Sequence, residues 1–250
     1  MAENTSNRYA IECVDLCKAY TANLEKREQN ALTKLNLKIK SGEVHGFLGH
    51  NGAGKTTAIK IIMGLIFPTS GEVKVFDTPT SNSSYLKKVM YIPELVNYYP
   101  FLTPVEILNY STKLNPISYS GRNITSESIN SVLKTVELID WGNTSVEKFS
   151  KGMKQRLSLA LCLLRQPDLL ILDEPASGLD PEGISLLLEI IKQFKAAGKT
   201  VFFSSHHISE IEKVCDSVSI IKYGVLQESR EIKEYQTIGL ENRYLELMKK

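Results

Sequence analysis

One stretch constrains this chain more than any other: VHGFLGHNGAGKTTAIKIIM, residues 44–63. An apolar run, Val44 to Leu48, ends in a glycine-rich turn, and a helix-like pattern follows. The turn fits G-x-x-x-x-G-K-[ST], with Gly49, Gly54, Lys55 and Thr56 at the fixed positions. Gly49, Gly52 and Gly54 let the backbone bend where a Cβ would clash. Successive N–H groups along Gly49, His50, Asn51, Gly52, Ala53 and Gly54 can then point inward at phosphate oxygens. The helix starting near Lys55 adds the unpaired N–H groups of its first turn, Thr56 and Thr57 included, and the positive end of its dipole. Lys55 has the reach for β- and γ-phosphates, and the Thr56 hydroxyl suits Mg²⁺, which keeps most of its waters and bridges protein to phosphate. A triphosphate with Mg²⁺ is therefore the expected ligand.

The rest of the chain is consistent with a fold around such a loop. At 250 residues it can bury a sizeable core, as one large domain or a core with subdomains. A net charge of +2 gives no bulk attraction for a polyanion, so nucleic acid is not an expected partner. No apolar run approaches the roughly 18–20 residues that span a bilayer. The start, MAENTSNRYAIEC, lacks the basic-then-apolar layout of a signal peptide. Cys13, Cys17, Cys162 and Cys215 form no C-x-x-C pair and read as reduced structural thiols.

Read in order, residues 9–18 suggest a strand with Ile11, Cys13, Val14 and Leu16 inward, and 22–30 a polar, solvated connector. Leu35, Leu37 and Ile39 alternate with polar residues, as in a half-buried strand. A turn at 68–71 leads to a strand over 72–76. From about 100 to 165 helical patterns take over, at 103–114, 125–136 and 150–164. Leu169–Leu172 is a continuous apolar run, expected of a strand buried on both faces. Asp180 caps the next helix, Pro181 takes its first position, and Ile184, Leu187, Leu188, Ile191 and Phe194 form its apolar stripe. A strand over 201–205, a helix over 208–215, a hairpin turning at Tyr223-Gly224 and an amphipathic tail helix (Leu240, Tyr244, Leu245, Met248) complete the chain.

The expected fold class is α/β: a P-loop NTPase core with a mostly parallel sheet, an N-terminal antiparallel β subdomain and an inserted helical subdomain. The expected division of residues 1–250 is a core at about 1–95 and 165–228, a helical subdomain at about 96–165, and a tail helix at about 229–250.

A second constellation closes LLILDE, residues 169–174. Adjacent carboxylates at a strand tip are costly unless they serve charge. Asp173 suits the metal, and Glu174 suits the base that orients and deprotonates an attacking water. In FSKGM, residues 149–153, Ser150 stands as a helix cap with Gly152 in the first turn, which makes a second anion site or an ordinary capped helix.

These residues carry a resemblance over about 9–249: the chain resembles the ATP-binding subunit of an ABC transporter. GHNGAGKTT resembles Walker A, FSKGM with KQRL the LSGGQ signature, LLILDEP Walker B, SGLD the D-loop and SSHH the H-loop, in the family's order. HGFLGHNGAGKTT, YIPE and GMKQRL are most similar to the ABC-2-type branch that exports drugs, antibiotics and lipids. The resemblance implies that Tyr20 stacks on adenine, or is otherwise a strand-end tyrosine. It puts Glu94 at the Q-loop position as a candidate metal ligand, or otherwise an exposed loop acid whose charge opposes the γ-phosphate. His206 is the switch histidine, Lys55, Glu174 and His206 are the catalytic set, and His207 is a helix-start residue. His45 reads as a packed core histidine, and His50, where relatives often carry proline, as tolerated within the loop. The resemblance also implies a homo- or heterodimer in which Ser150 and Gly152 close on ATP held by the other copy's Walker A loop. Separate transmembrane permease subunits would hold the chain at the cytoplasmic face of the membrane. Lys151 and Met153 depart from the signature, and the Lys151 charge is expected to be offset by the partner's nucleotide. The rival class is a soluble ABC-type ATPase acting on nucleic acid or ribosomes.

Overall fold

The computed structural model describes residues 9–21, 28–114 and 124–249. Residues 22–27 of the polar connector therefore lie outside the described residues. In chain order the strands and helices are β1 (Tyr9–Thr21), β2 (Glu28–Lys40), β3 (Val44–Leu48), α1 (Lys55–Ile62), β4 (Ser70–Val75), β5 (Thr78–Pro79), β6 (Val89–Ile92), α2 (Pro104–Leu114), α3 (Ser126–Thr135) and α4 (Lys151–Arg165). There follow β7 (Leu169–Asp173), α5 (Pro181–Ala196), β8 (Thr200–Ser205), α6 (Ile208–Val214), β9 (Ser217–Lys222), β10 (Val225–Glu231) and α7 (Leu240–Lys249).

The strands make two sheets. A six-stranded sheet has the order β10-β9-β3-β8-β7-β6 and is parallel apart from β10. A four-stranded antiparallel sheet has the order β2-β1-β4-β5. The fold is α/β, as the alternation of patterns implies.

Strand periodicity assigns the core. On β7, Leu170 and Leu172 enter one cluster and Leu169 and Ile171 the other. On β8, Val201 and Phe203 part from Phe202 in the same way. One face of the sheet packs on α1 and the antiparallel sheet, through Ile59, Ile62, Leu35 and Leu37. The other packs on the helices, through Leu108, Leu133, Leu159, Leu187, Ile191 and Ile211. Each such side chain contributes about 1.5–3 kcal/mol by leaving water. His45 is also buried and is paired with Ser219 at 2.8 Å and Ser217 at 2.8 Å, a satisfied core histidine. The four cysteines are free, and burial pushes the Cys13 thiol up to about 12. Among the described residues no helix is long and apolar enough to cross a membrane.

Several local expectations need correction. Val14 is 43% exposed, because it alternates with the buried Cys13 in unbroken register against β4; the break comes after it, at Asp15 (φ 46), and brings Leu16 inward instead. β2 starts at Glu28, so 28–30 are strand despite their polarity. β4 starts at Ser70, inside the stretch read as a turn. In α7, Leu247 is buried and Leu245 is exposed. β6 had no signature: it is four residues long at the sheet edge, with only Val89 and Ile92 buried.

Candidate functional site

The loop between β3 and α1 is shaped by contacts that exclude side chains. A Cβ on Gly49 would lie 2.6 Å from the Ile221 carbonyl oxygen, and one on Gly54 2.6 Å from that of Ala31. Gly54 also has φ 105, which L-residues avoid. It precedes α1 with no side-chain cap and no acid in the first turn, so the helix presents bare N–H groups to the loop. Lys55 curls back over the loop. Its ammonium donates to the carbonyls of Gly49 (2.5 Å) and His50 (3.1 Å) and lies 3.0 Å from Glu174 Oε1.

The tip of β7 delivers the acids. Asp173 is almost fully buried, and burial pushes its carboxyl up while hydrogen bonds from Ser204 and Thr56 oppose the rise. Ser204, on the neighbouring β8, donates to Asp173 Oδ1 (2.7 Å) and accepts from the Glu174 N–H (3.0 Å). Glu174 sits at φ 48, a conformation that costs an L-residue about 1–2 kcal/mol and that aims its side chain back at the loop. Its other oxygen, Oε2, pairs with His206 Nδ1 at 2.8 Å. His206 follows β8, and its ring lies 3.9 Å from that of His207, the residue that starts α6.

Lys55, Thr56 and Glu174 open on a cavity of about 450 Å³ lined also by Tyr20, Gln29–Ala31, Asn51–Gly54, Thr57, Glu94 and Tyr223. Tyr20 is thus at the pocket, opposite Gln29 on the strand pair and half exposed. Gln29, Asn30, Ala31 and Tyr223 were missed: Gln29 and Asn30 read as connector, Ala31 was assigned to no element, and Tyr223 read as a plain hairpin turn. His50 turns out of the pocket, with Nδ1 2.7 Å from the Asn51 carbonyl and its ring edge-on to Tyr223 at 4.9 Å.

The donor set suits Mg²⁺. Asp173 and Thr56 face each other, and Glu174 and Glu94 add negative charge felt at Asp173. Among the described residues no group of three His, Cys, Asp or Glu side chains could hold a metal. Mg²⁺ takes one or two protein groups together with phosphate oxygens.

The structure does not bring Ser150 and Gly152 to this pocket. Ser150 caps α4, accepting from the Met153 N–H at 3.2 Å, and is exposed. Gly152 approaches the Gly178 carbonyl so closely that a Cβ would stand 3.0 Å from it. Lys151 has a counter-charge nearby. Its own chain supplies one: the ammonium donates to Ser177 Oγ (2.8 Å) and lies 3.8 Å from Glu94 Oε1.

A family profile described as ABC transporter matches residues 32–177. The chain is 41% identical to the Bacitracin transport ATP-binding protein BcrA of Bacillus licheniformis, across 87% of this chain and 68% of that one. It is 37% identical to the Lantibiotic transport ATP-binding protein SrtF of Streptococcus pyogenes, across 88% and 91%. A solved ATP-binding subunit of an ABC transporter superposes with a TM-score of 0.82 at 29% identity, covering 96% of this chain and 99% of that one. The ATP-binding cassette MJ0796, dimeric and bound to ADP and Pi in a post-hydrolysis state, superposes with a TM-score of 0.79 at 25% identity, covering 89% and 98%.

Proposed function

The chain belongs to the ABC transporter family as an ATP-binding subunit and is an ATPase, and from that premise we propose that it drives export of a peptide antibiotic or similar amphiphile through separate membrane subunits. The relatives named for bacitracin and lantibiotic transport support this cargo class.

The observation that carries the mechanism is that Glu174, in the wall of the pocket, pairs with Lys55 through one oxygen and with His206 through the other, while Ser150 stands outside the pocket. The Gly49–Thr57 loop holds the triphosphate, with Lys55 exchanging Glu174 for phosphate oxygens, and Tyr20 stacks on adenine. Thr56 and Asp173 would hold Mg²⁺, which would supply charge neutralisation on the phosphates. Glu174 orients a water and takes its proton as the water oxygen attacks the γ-phosphorus. The bond from that phosphorus to the β-bridging oxygen breaks, and ADP and phosphate leave. His206 exchanges its bond to Glu174 Oε2 for one donated toward the γ-phosphate. Ser150 and the first turn of α4 act on the nucleotide of a second copy, which makes ATP the bridge of a two-state dimer. Residues about 1–95 and 165–228 serve as the catalytic core and about 96–165 as the arm that carries α4.

Docking to the membrane subunits falls to the segment after β6. Tyr99, Phe101 and Tyr110 are exposed and line a groove of about 670 Å³ with Leu102, Glu106 and Lys113. That groove suits a short cytoplasmic helix of a permease, which would hold the chain at the cytoplasmic face of the membrane. The test is purification of the chain with its candidate permease. Cargo-stimulated ATPase in vesicles supports the reading. A chain that hydrolyses ATP but never co-purifies with a membrane protein overturns it.

A further inference from the structure

We propose that Lys151 is a positioning residue for Glu94: it neutralises this carboxylate and holds it against the pocket wall, so that an acid can stand beside the triphosphate site. The proposal rests on the ATPase reading above. Two charges in this chain are each unfavourable alone. Glu94 lines the nucleotide pocket, where a carboxylate opposes the triphosphate. Lys151 is the first residue of α4, where the helix dipole disfavours a cation. The fold brings them together. Lys151 Nζ is 2.8 Å from Ser177 Oγ and 3.8 Å from Glu94 Oε1, and Ser177 Oγ is 3.4 Å from the same Glu94 oxygen. The three polar atoms close a triangle.

Packing sets the path of the lysine. Its stem crosses Gly178, where a Cβ would stand 2.7 Å from Lys151 Cδ and 3.1 Å from Cγ. Gly152 presses on the same glycine from its other neighbour position, and Arg156 of α4 pairs with Asp180, which caps α5. The start of α4 is therefore fastened to residues 177–180, and Lys151 extends that seam to the loop bearing Glu94. Lys151 and Glu94 are 41% and 48% exposed, so their attraction is screened and adds little to stability. Its consequence is placement. The pair links the chain's own nucleotide pocket to the helix end that acts on the partner's nucleotide.

The test uses the full chain and the pair's dependence on each other. MgATP affinity is measured by displacement of a fluorescent nucleotide at low and high salt, together with KM and kcat. Lys151→Ala is expected to weaken MgATP binding and raise KM about 3–10-fold, more at low salt, because the freed carboxylate faces the triphosphate. In a Glu94→Gln background the same substitution is expected to change affinity less than about 2-fold, since no charge is left to hold. Lys151→Arg is expected to keep parental affinity. A Lys151→Ala effect of equal size in both backgrounds, or none in either, overturns the proposal. Lys55→Ala is the control: if it too leaves ATP binding intact, the ATPase reading of the pocket has failed rather than this one.

Discussion

Lys55 Nζ lies 3.0 Å from Glu174 Oε1, joining the phosphate loop to the tip of the next-but-one strand across a buried ion pair. Both side chains are nearly inaccessible, at 5% and 11% exposed, so the pair attracts strongly and each end depends on the other. A phosphate that takes Lys55 releases Glu174 to act on water. Glu174→Gln is therefore expected to cut turnover by about 10²–10⁴-fold while MgATP still binds. Single-turnover hydrolysis together with equilibrium nucleotide binding checks this. The same variant should accumulate as an ATP-dependent dimer by light scattering.

Ser204 serves both acids at once, donating to Asp173 and accepting from the Glu174 backbone. Ser204→Ala leaves a buried carboxylate short of a donor. The expected cost is about 1–3 kcal/mol of stability, with a rise in the Mg²⁺ concentration needed for half-maximal ATPase. Chemical denaturation and a Mg²⁺ titration read the two effects separately.

Tyr20 stands at the pocket across the strand pair from Gln29. Tyr20→Ala is expected to weaken ATP binding by about 10-fold, from loss of roughly 1–3 kcal/mol of stacking, whereas Tyr20→Phe keeps it. A matching loss for Phe would mean that the hydroxyl, not the ring face, is what binds.

The tail helix α7 is held by Glu228. Burial alone would push this carboxyl up, but hydrogen bonds from Arg243 and Tyr235, with the charges of Arg243 and Arg230, hold it below its ordinary value. A lowered folded-state value stabilises above the unfolded one, about 4.3, and that contribution is lost as pH falls through the folded value. Acid should therefore loosen α7 before the sheet core melts. Limited proteolysis below pH 4 is expected to clip the tail first, and Glu228→Gln to show the same clipping at neutral pH.

Tyr99 and Phe101 lie 5.9 Å apart at their ring centres and are both mostly exposed. Tyr99→Ala is expected to leave basal ATPase unchanged and to remove stimulation by the permease. Parental stimulation in the variant would assign the groove to another role.

The parallel sheet could be read from Val44–Leu48, Leu169–Leu172 and Val201–Ser205, because strands covered on both faces write continuous apolar runs. The helices starting at 151 and 181 were equally plain from their caps and stripes, whereas the tail helix was legible as a helix but not in which leucine it buries. β6 was not, since an edge strand of four residues with two half-buried positions carries neither an apolar run nor a strict alternation. The bulge at Asp15 was invisible for a different reason: its left-handed backbone is set by pairing with two neighbours, and Asn36 supports it with a side-chain bond to the Asp15 N–H at 3.0 Å.

By itself the sequence determined what depends on near neighbours. The glycine spacing that bares the loop's N–H groups, the paired acids at a strand end, and the Ser150 and Asp180 caps act over a few residues, so their order along the chain is enough. Tertiary structure alone decided which charges meet. That Glu174 touches both Lys55 and His206, that Ser204 bridges the two acids, that Tyr223 and Gln29–Ala31 wall the pocket, and that Lys151 answers Glu94 all follow from strand order and helix packing. Coulombic and hydrogen-bond partners are chosen by distance in space, and no local pattern encodes a distance between residues far apart in the chain.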